Sequence, residues 1–546
     1  MGNLISYDEF TQKIQKYKLS TTLITCAKLN WKIWKLDPSS LRITDPYHHI
    51  FLSRAYASRI GVLSFLSNED VDKVAEEKDI INLSHQYLEV KDAHIDQSWF
   101  ESNEVAVIKK DLSTSQALKP LIQNVPDLEE LSRLIAADLF PIRSVGSQWM
   151  HAIIDLNFSY RNWLIQKYLD EATNGNYFKG LSKYLSFHPI DFYRGAFFIL
   201  TIAENIKDSS GLFFIRDNHV DENLKSKYGV SSDLLRLIAE RFSCNTSIFR
   251  KWHEEEVLML PEFYQKYAPL PLGAQPLIWI GDEVTGGDKS AIHSYLLLSP
   301  WYYILAYSRY LFDRIQDAFG DPESGSIQGK IGEAVNKYFS YFLDYYSIPY
   351  VCFDNIILPG NRDKSIPDFF IPLGDKRGLL IEFKKSFGSK EFKTIFPASS
   401  LVESYERTYE AFDQFLHIAK NPSKLSQYSK NEINEFVCII CCLEPLTTEA
   451  TSFLKFAENI RLLEQTGIQG LEVMSLHELE KWIEEIGCKE IFNISKDRWM
   501  KGKGSHFFHL SVTAENKQTA RFDHLEETFK ELFPTLQRSS NSIREC

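Results

Sequence analysis

Residues 365–386 read SIPDFFIPLGDKRGLLIEFKKS, and the fold of the C-terminal part of the chain turns on them. Two apolar runs flank Gly374-Asp375-Lys376-Arg377, a set of turn formers that predicts a hairpin. A ladder registered on Pro372 and Gly378 sets Asp368 opposite Glu382. Opposed residues share a sheet face with Cβ atoms about 4.5–5.5 Å apart, so two carboxylates converge on one point. Lys384, two residues beyond Glu382, projects the same way. Two carboxylates that close repel one another unless a proton or a cation intervenes. A divalent metal held by Asp368 and Glu382 is the economical solution, and oxygen donors completed by water suit Mg²⁺ or Mn²⁺ better than zinc. The competing reading is a surface hairpin with an ordinary Glu–Lys pair. Strands this apolar on both sides are expected to be buried, where unpaired charge is costly, and this favours a site.

Outward from the hairpin, the pattern predicts a helix over 327–346, strands over 350–358, 366–371 and 378–386, a helix over 399–419 and a strand over 436–443. A helix over 448–465, a strand over 470–474 and a helix opening at Ser475 complete it. This αβββαβ order predicts an α/β core, a mixed sheet flanked by helices. Cys438 and Cys441 form a CxxC inside the apolar run FVCIICCL; on a strand they face opposite ways, which reads as buried structure and not a zinc site.

Pro367-Asp368, a gap, then Glu382-Phe383-Lys384, in this element order, resembles the PD-(D/E)xK signature of the restriction-endonuclease-like nucleases over residues 328–487. The resemblance implies Mg²⁺-dependent hydrolysis of DNA phosphodiesters, DNA more than RNA, with Asp368, Glu382 and Lys384 catalytic. It also implies an acidic metal ligand on the preceding helix, which falls on Glu333, and a polar residue on the following one, Gln414. The apolar stripe of Ile331, Val335, Tyr338 and Phe342 leaves Glu333 on nearly the opposite side of its helix, against that assignment.

The net charge of −12 argues against a chain coated in basic residues, but local clusters remain. Lys385, Lys390 and Lys393 follow the hairpin as candidate phosphate contacts, and Lys496, Arg498, Lys501 and Lys503 surround Trp499 further on. Gly281-DEVTGGDKS lacks the P-loop spacing, because Gly287 and Asp288 intervene before Lys289.

Upstream, the style of the sequence changes. Residues 1–110 mix helical and extended patterns, including WKIWKLD and RITDPYHHIFL, and residues 111–320 read as mainly helical. Asp127, Ser231 and Ser299-Pro300 mark helix starts, and His188-PIDFYRG reads as a start with Asp191 as cap. The stretch Gly320-DPESGSIQGK predicts a boundary, giving a nuclease domain over 321–490 and a C-terminal extension over 491–546. Eight scattered cysteines and the lack of a signal segment point to the cytoplasm, and no run is long and apolar enough to span a membrane. A large region fused to a nuclease suits restriction or anti-phage defence, with a protein partner or a second copy bound through the N-terminal region. The alternative is a nucleic-acid-binding or scaffolding subunit of a larger defence complex, with a conditional or inactive nuclease fold.

Overall fold

Gly374, Asp375 and Lys376 all adopt positive φ, and together they close the hairpin that the composition predicts. In the computed structural model β6 spans Phe369–Gly374 and β7 spans Arg377–Lys384. They pair antiparallel with Phe369 opposite Ile381, Phe370 opposite Leu380, Ile371 opposite Leu379 and Pro372 opposite Gly378, the register shifting between Pro372 and Gly374 at the turn. Gly378 is required by contact: a Cβ there would lie 2.4 Å from the Phe370 ring. The structure describes residues 4–35, 56–67, 70–91, 98, 100–123, 127–140, 156–205, 210–215, 227–266, 268, 270–280, 294–353, 366–384, 398–425, 432–443, 466–500 and 522–536.

The hairpin is the middle of a five-stranded mixed sheet. Its order is β5 (Val351–Cys352), β6, β7, β8 (Glu435–Cys442) and β9 (Ile468–Ser475). The first two pairings are antiparallel and the last two parallel. Both faces are covered, which is why these strands are apolar throughout. Phe369, Ile371, Leu379, Ile381, Val437, Ile439 and Cys441 pack with the large helical core. Their neighbours Phe370, Leu380, Cys438, Ile440 and Cys442 pack in a second core with helix Ala398–Lys420. The CxxC therefore splits between two cores, and burial pushes both the Cys438 and Cys441 thiols up. Their side chains enter different cores and do not converge.

The remaining described residues are mostly helical. Helices Leu156–Ala172, Pro189–Glu204, Pro300–Asp313 and Ile331–Tyr345 bury aromatic faces in the large core, and Tyr193, Tyr303, Tyr307 and Tyr338 are almost wholly enclosed there. Ser231 caps its helix as expected, through the Leu234 N–H. Where Asp191 was expected as cap, the cap is His188, with Asp191 three residues on accepting from its N–H.

Several expectations meet a different outcome. Within residues 1–110 the described elements are helices, among them Tyr7–Ile14, Leu19–Trp34 and Glu77–Leu88, with a single isolated bridge between Ile5 and Val90. Most of WKIWKLD is the last turn of the second helix, because Trp31 and Ile33 find a helical core to enter; RITDPYHHIFL lies outside the described residues. The mainly helical region holds a small mixed sheet of β1 (Leu212–Phe214), β2 (Ser243–Cys244), β3 (Leu277–Ile280) and β4 (Ser294–Leu297), in the order β1-β4-β3-β2. The Gly320 stretch forms a short helix, Glu323–Gly329, whose Ile327 is buried, so the core runs through the predicted boundary. Helices Ala106–Thr114 and Leu128–Phe140 pack against Ala398–Lys420 in the second core, across the expected domain division. Helix Gly487–Met500 crosses the division expected at residue 490, and beyond it Leu525, Phe529 and Leu532 belong to the large core. Gly281–Ser290 and the helix expected over 448–465 lie outside the described residues.

Candidate active site

Asp368 is the residue immediately before β6 and continues its register, so it meets Glu382 near the end of β7. Both share the parity of Phe370 and Leu380, and both are buried, at 4% and 5% exposure. The contacts are direct. The Asp368 N–H donates to Glu382 Oε2 at 3.2 Å, and the Phe383 N–H donates to Asp368 Oδ2 at 2.8 Å. Each carboxylate thus holds the backbone of the strand opposite. Lys384 Nζ lies 3.1 Å from Glu382 Oε1 and keeps about a fifth of its side chain exposed, so the site has an edge open to solvent. The backbone of Asp368 is fixed as well, its carbonyl accepting from the Phe353 N–H at 3.0 Å.

Glu333 does not join this group. It lies on the exposed side of helix Ile331–Tyr345, ion-paired with Lys330 at 2.8 Å and more than half exposed. The helix reading of the sequence, with Glu333 opposite the apolar stripe, describes what is seen. The residue that reaches the carboxylates from this helix is Asn336, three positions on, buried, with Nδ2 3.4 Å from Asp368 Oδ1. Helical periodicity places Asn336 next to Phe339 and Leu343 at the edge of the buried arc, which is its signal in the sequence. Gln414 is half-buried on helix Ala398–Lys420, which packs on the Phe370 and Leu380 side of the sheet. Lys385, Lys390 and Lys393 lie outside the described residues.

The second basic cluster is largely spoken for. Lys496 pairs with Glu435 at 3.0 Å, and Arg498 approaches Glu472 at 3.6 Å, both at the sheet's β8 and β9 strands. Trp499 packs against the second core. These residues fasten helix Gly487–Met500 to the sheet. Lys501 and Lys503 lie outside the described residues.

The donor set at the hairpin suits a hard cation. The two carboxylates that meet here offer oxygen donors, the kind a hard cation takes, with the Lys384 ammonium against Glu382. Among the described residues no group of three or more His, Cys, Asp or Glu side chains forms a metal cage, so water would complete the coordination of any ion held here. Comparison with protein families, curated proteins and solved structures returns no match to this chain.

Proposed function

We propose that the chain is a metal-dependent nuclease of the PD-(D/E)xK kind, hydrolysing phosphodiester bonds of DNA, and an endonuclease in a defence system. The observation that carries this reading is the buried pair Asp368 and Glu382 with Lys384 beside it, three residues of the right chemistry meeting at one end of a hairpin. Asp368 and Glu382 would hold a Mg²⁺ or Mn²⁺ ion, which when bound polarises the phosphoryl oxygen and lowers the pKa of water. Glu382 orients Lys384, whose ammonium reaches the solvent edge of the site. There it is placed to stabilise charge building on the phosphate or to orient the attacking water. Backbone N–H donors from Asp368 and Phe383 keep the two carboxylates in place without a reorganisation step.

The test is incubation of the purified full chain with plasmid, linear duplex, single-stranded DNA and RNA, in Mg²⁺, Mn²⁺ or EDTA, beside Asp368→Ala and Lys384→Ala. Cleavage by wild type in metal alone, abolished in Asp368→Ala and reduced about 100- to 1000-fold in Lys384→Ala, is the expected result. Cleavage that survives in Asp368→Ala would refute the assignment. A scaffolding subunit with an inactive nuclease fold is the second reading, favoured if wild type binds DNA without cutting any substrate.

A further inference from the structure

We propose that Asn336 is the positioning residue of this site, an amide that fixes the Asp368 carboxylate while keeping the acidic donors at two. The inference rests on the reading of Asp368 and Glu382 as metal donors. Asn336 Nδ2 faces Asp368 Oδ1 at 3.4 Å, while the Phe383 N–H takes Oδ2 at 2.8 Å. Donors on both oxygens from two different elements set the plane of the carboxylate, which one bond alone leaves free to rotate.

The helix that delivers this amide is pinned on both sides. Phe339, three residues along, stands edge-on to Phe369 and Phe383 at 5.1 Å each, and these are the neighbours of Asp368 and Glu382 on their strands. On another side, the Tyr338 hydroxyl lies 2.9 Å from His524 Nε2, and the Tyr341 hydroxyl donates to the His524 carbonyl at 2.7 Å. These contacts fix where the helix crosses the hairpin. The Asn336 amide is therefore presented in one place.

The choice of amide over acid has an electrostatic consequence. A carboxylate at position 336 would set a third acid beside Asp368 and Glu382 in a buried site, adding like-charge repulsion. The amide supplies a hydrogen bond without the charge, so the site stays folded whether or not an ion is present. Its contribution to metal binding is then indirect, of the kind whose loss weakens affinity about 10- to 100-fold.

Two variants of the full-length protein test this, read by Mn²⁺ titration of the thermal unfolding midpoint and by single-turnover cleavage. Asn336→Ala is expected to need about 10- to 100-fold more Mn²⁺ for half of the midpoint rise, with cleavage restored at saturating Mn²⁺ and substrate affinity unchanged. Asn336→Asp, which keeps the shape, is expected to unfold at lower temperature than wild type in EDTA and to gain more from Mn²⁺. An Asn336→Ala titration that superimposes on wild type, or an Asn336→Asp protein as stable as wild type in EDTA, refutes the role. If wild type itself shows no Mn²⁺-dependent rise, the metal reading of Asp368 and Glu382 has failed first. If wild type responds, Asp368→Ala does not and Asn336→Ala matches wild type, Asn336 alone is refuted.

Discussion

Helix Ile331–Tyr345 separates two buried acidic clusters that are built in opposite ways. On the Tyr338 side, Arg161 and Glu480 stand 3.3 Å apart, each 1% exposed, one guanidinium for one carboxyl. On the Asn336 side two carboxylates, Asp368 and Glu382, meet, with the Lys384 ammonium 3.1 Å from the second. The first cluster joins helix Leu156–Ala172 to helix Leu476–Glu485 through an opposite-charge pair. The second brings two acids to one point. An opposite-charge pair fastens a structural seam, and converging acids suit a cation site. Burial of an acid therefore says little until the groups around it are named.

The largest effect that tests this contrast is loss of Glu480. An Arg161 side chain left buried cannot shed its charge, so Glu480→Ala should cost about 3–5 kcal/mol of folding stability, read by urea unfolding. Arg161→Met should cost less, because the remaining carboxyl can take up a proton. An Asp368→Asn protein in EDTA should show the reverse sign, its stability unchanged or raised by up to about 1 kcal/mol, since repulsion is relieved. A drop for Asp368→Asn as large as that for Glu480→Ala would erase the distinction between the two clusters.

The pH dependence of stability is the next test. Burial pushes the Glu478 and Glu480 carboxyls up to about 7 from the ordinary 4.5, against the opposing pull of Ser475 on the first and Arg161 on the second. The folded state then holds more protons than the unfolded state between those values, so this contribution is fully present below about 4.5 and lost as pH rises through about 7. Stability should fall between pH 5 and pH 8. Glu478→Gln, which preserves the capping box with Ser475, should flatten that slope by an amount on the order of 2–3 kcal/mol across the range. An unchanged slope in Glu478→Gln would mean that the acid ionises freely in the fold.

The smallest effect is expected at Glu333. It lies on the surface in a pair with Lys330, so Glu333→Ala should change stability by no more than about 0.5 kcal/mol and leave cleavage and Mn²⁺ response as in wild type. A large loss of cleavage there would put Glu333 back in the site and displace Asn336 from it.

The hairpin was legible because its determinants are local. Gly374-Asp375-Lys376-Arg377 specifies the turn, and the two-residue period of a strand then carries the register from Pro372 and Gly378 out to Asp368 and Glu382. The helix Ala398–Lys420 and the strands Glu435–Cys442 and Ile468–Ser475 fall close to their expected bounds for the same reason. Glu333 could be doubted from helical periodicity alone, but that Asn336 touches Asp368 depends on how the helix crosses the hairpin. The domain boundary was read from composition at Gly320, where loop-forming residues in fact make a short helix that buries Ile327.

Turn chemistry and side-chain alternation act within a few residues, and they suffice for the hairpin, its register and the meeting of Asp368, Glu382 and Lys384. Long-range packing sets the rest: Asn336 against Asp368, Lys496 and Arg498 against the sheet's carboxylates, and the helices of residues 106–140 in the second core. Those contacts join residues tens to hundreds of positions apart. Their geometry is set by helix packing and burial, which no local pattern encodes.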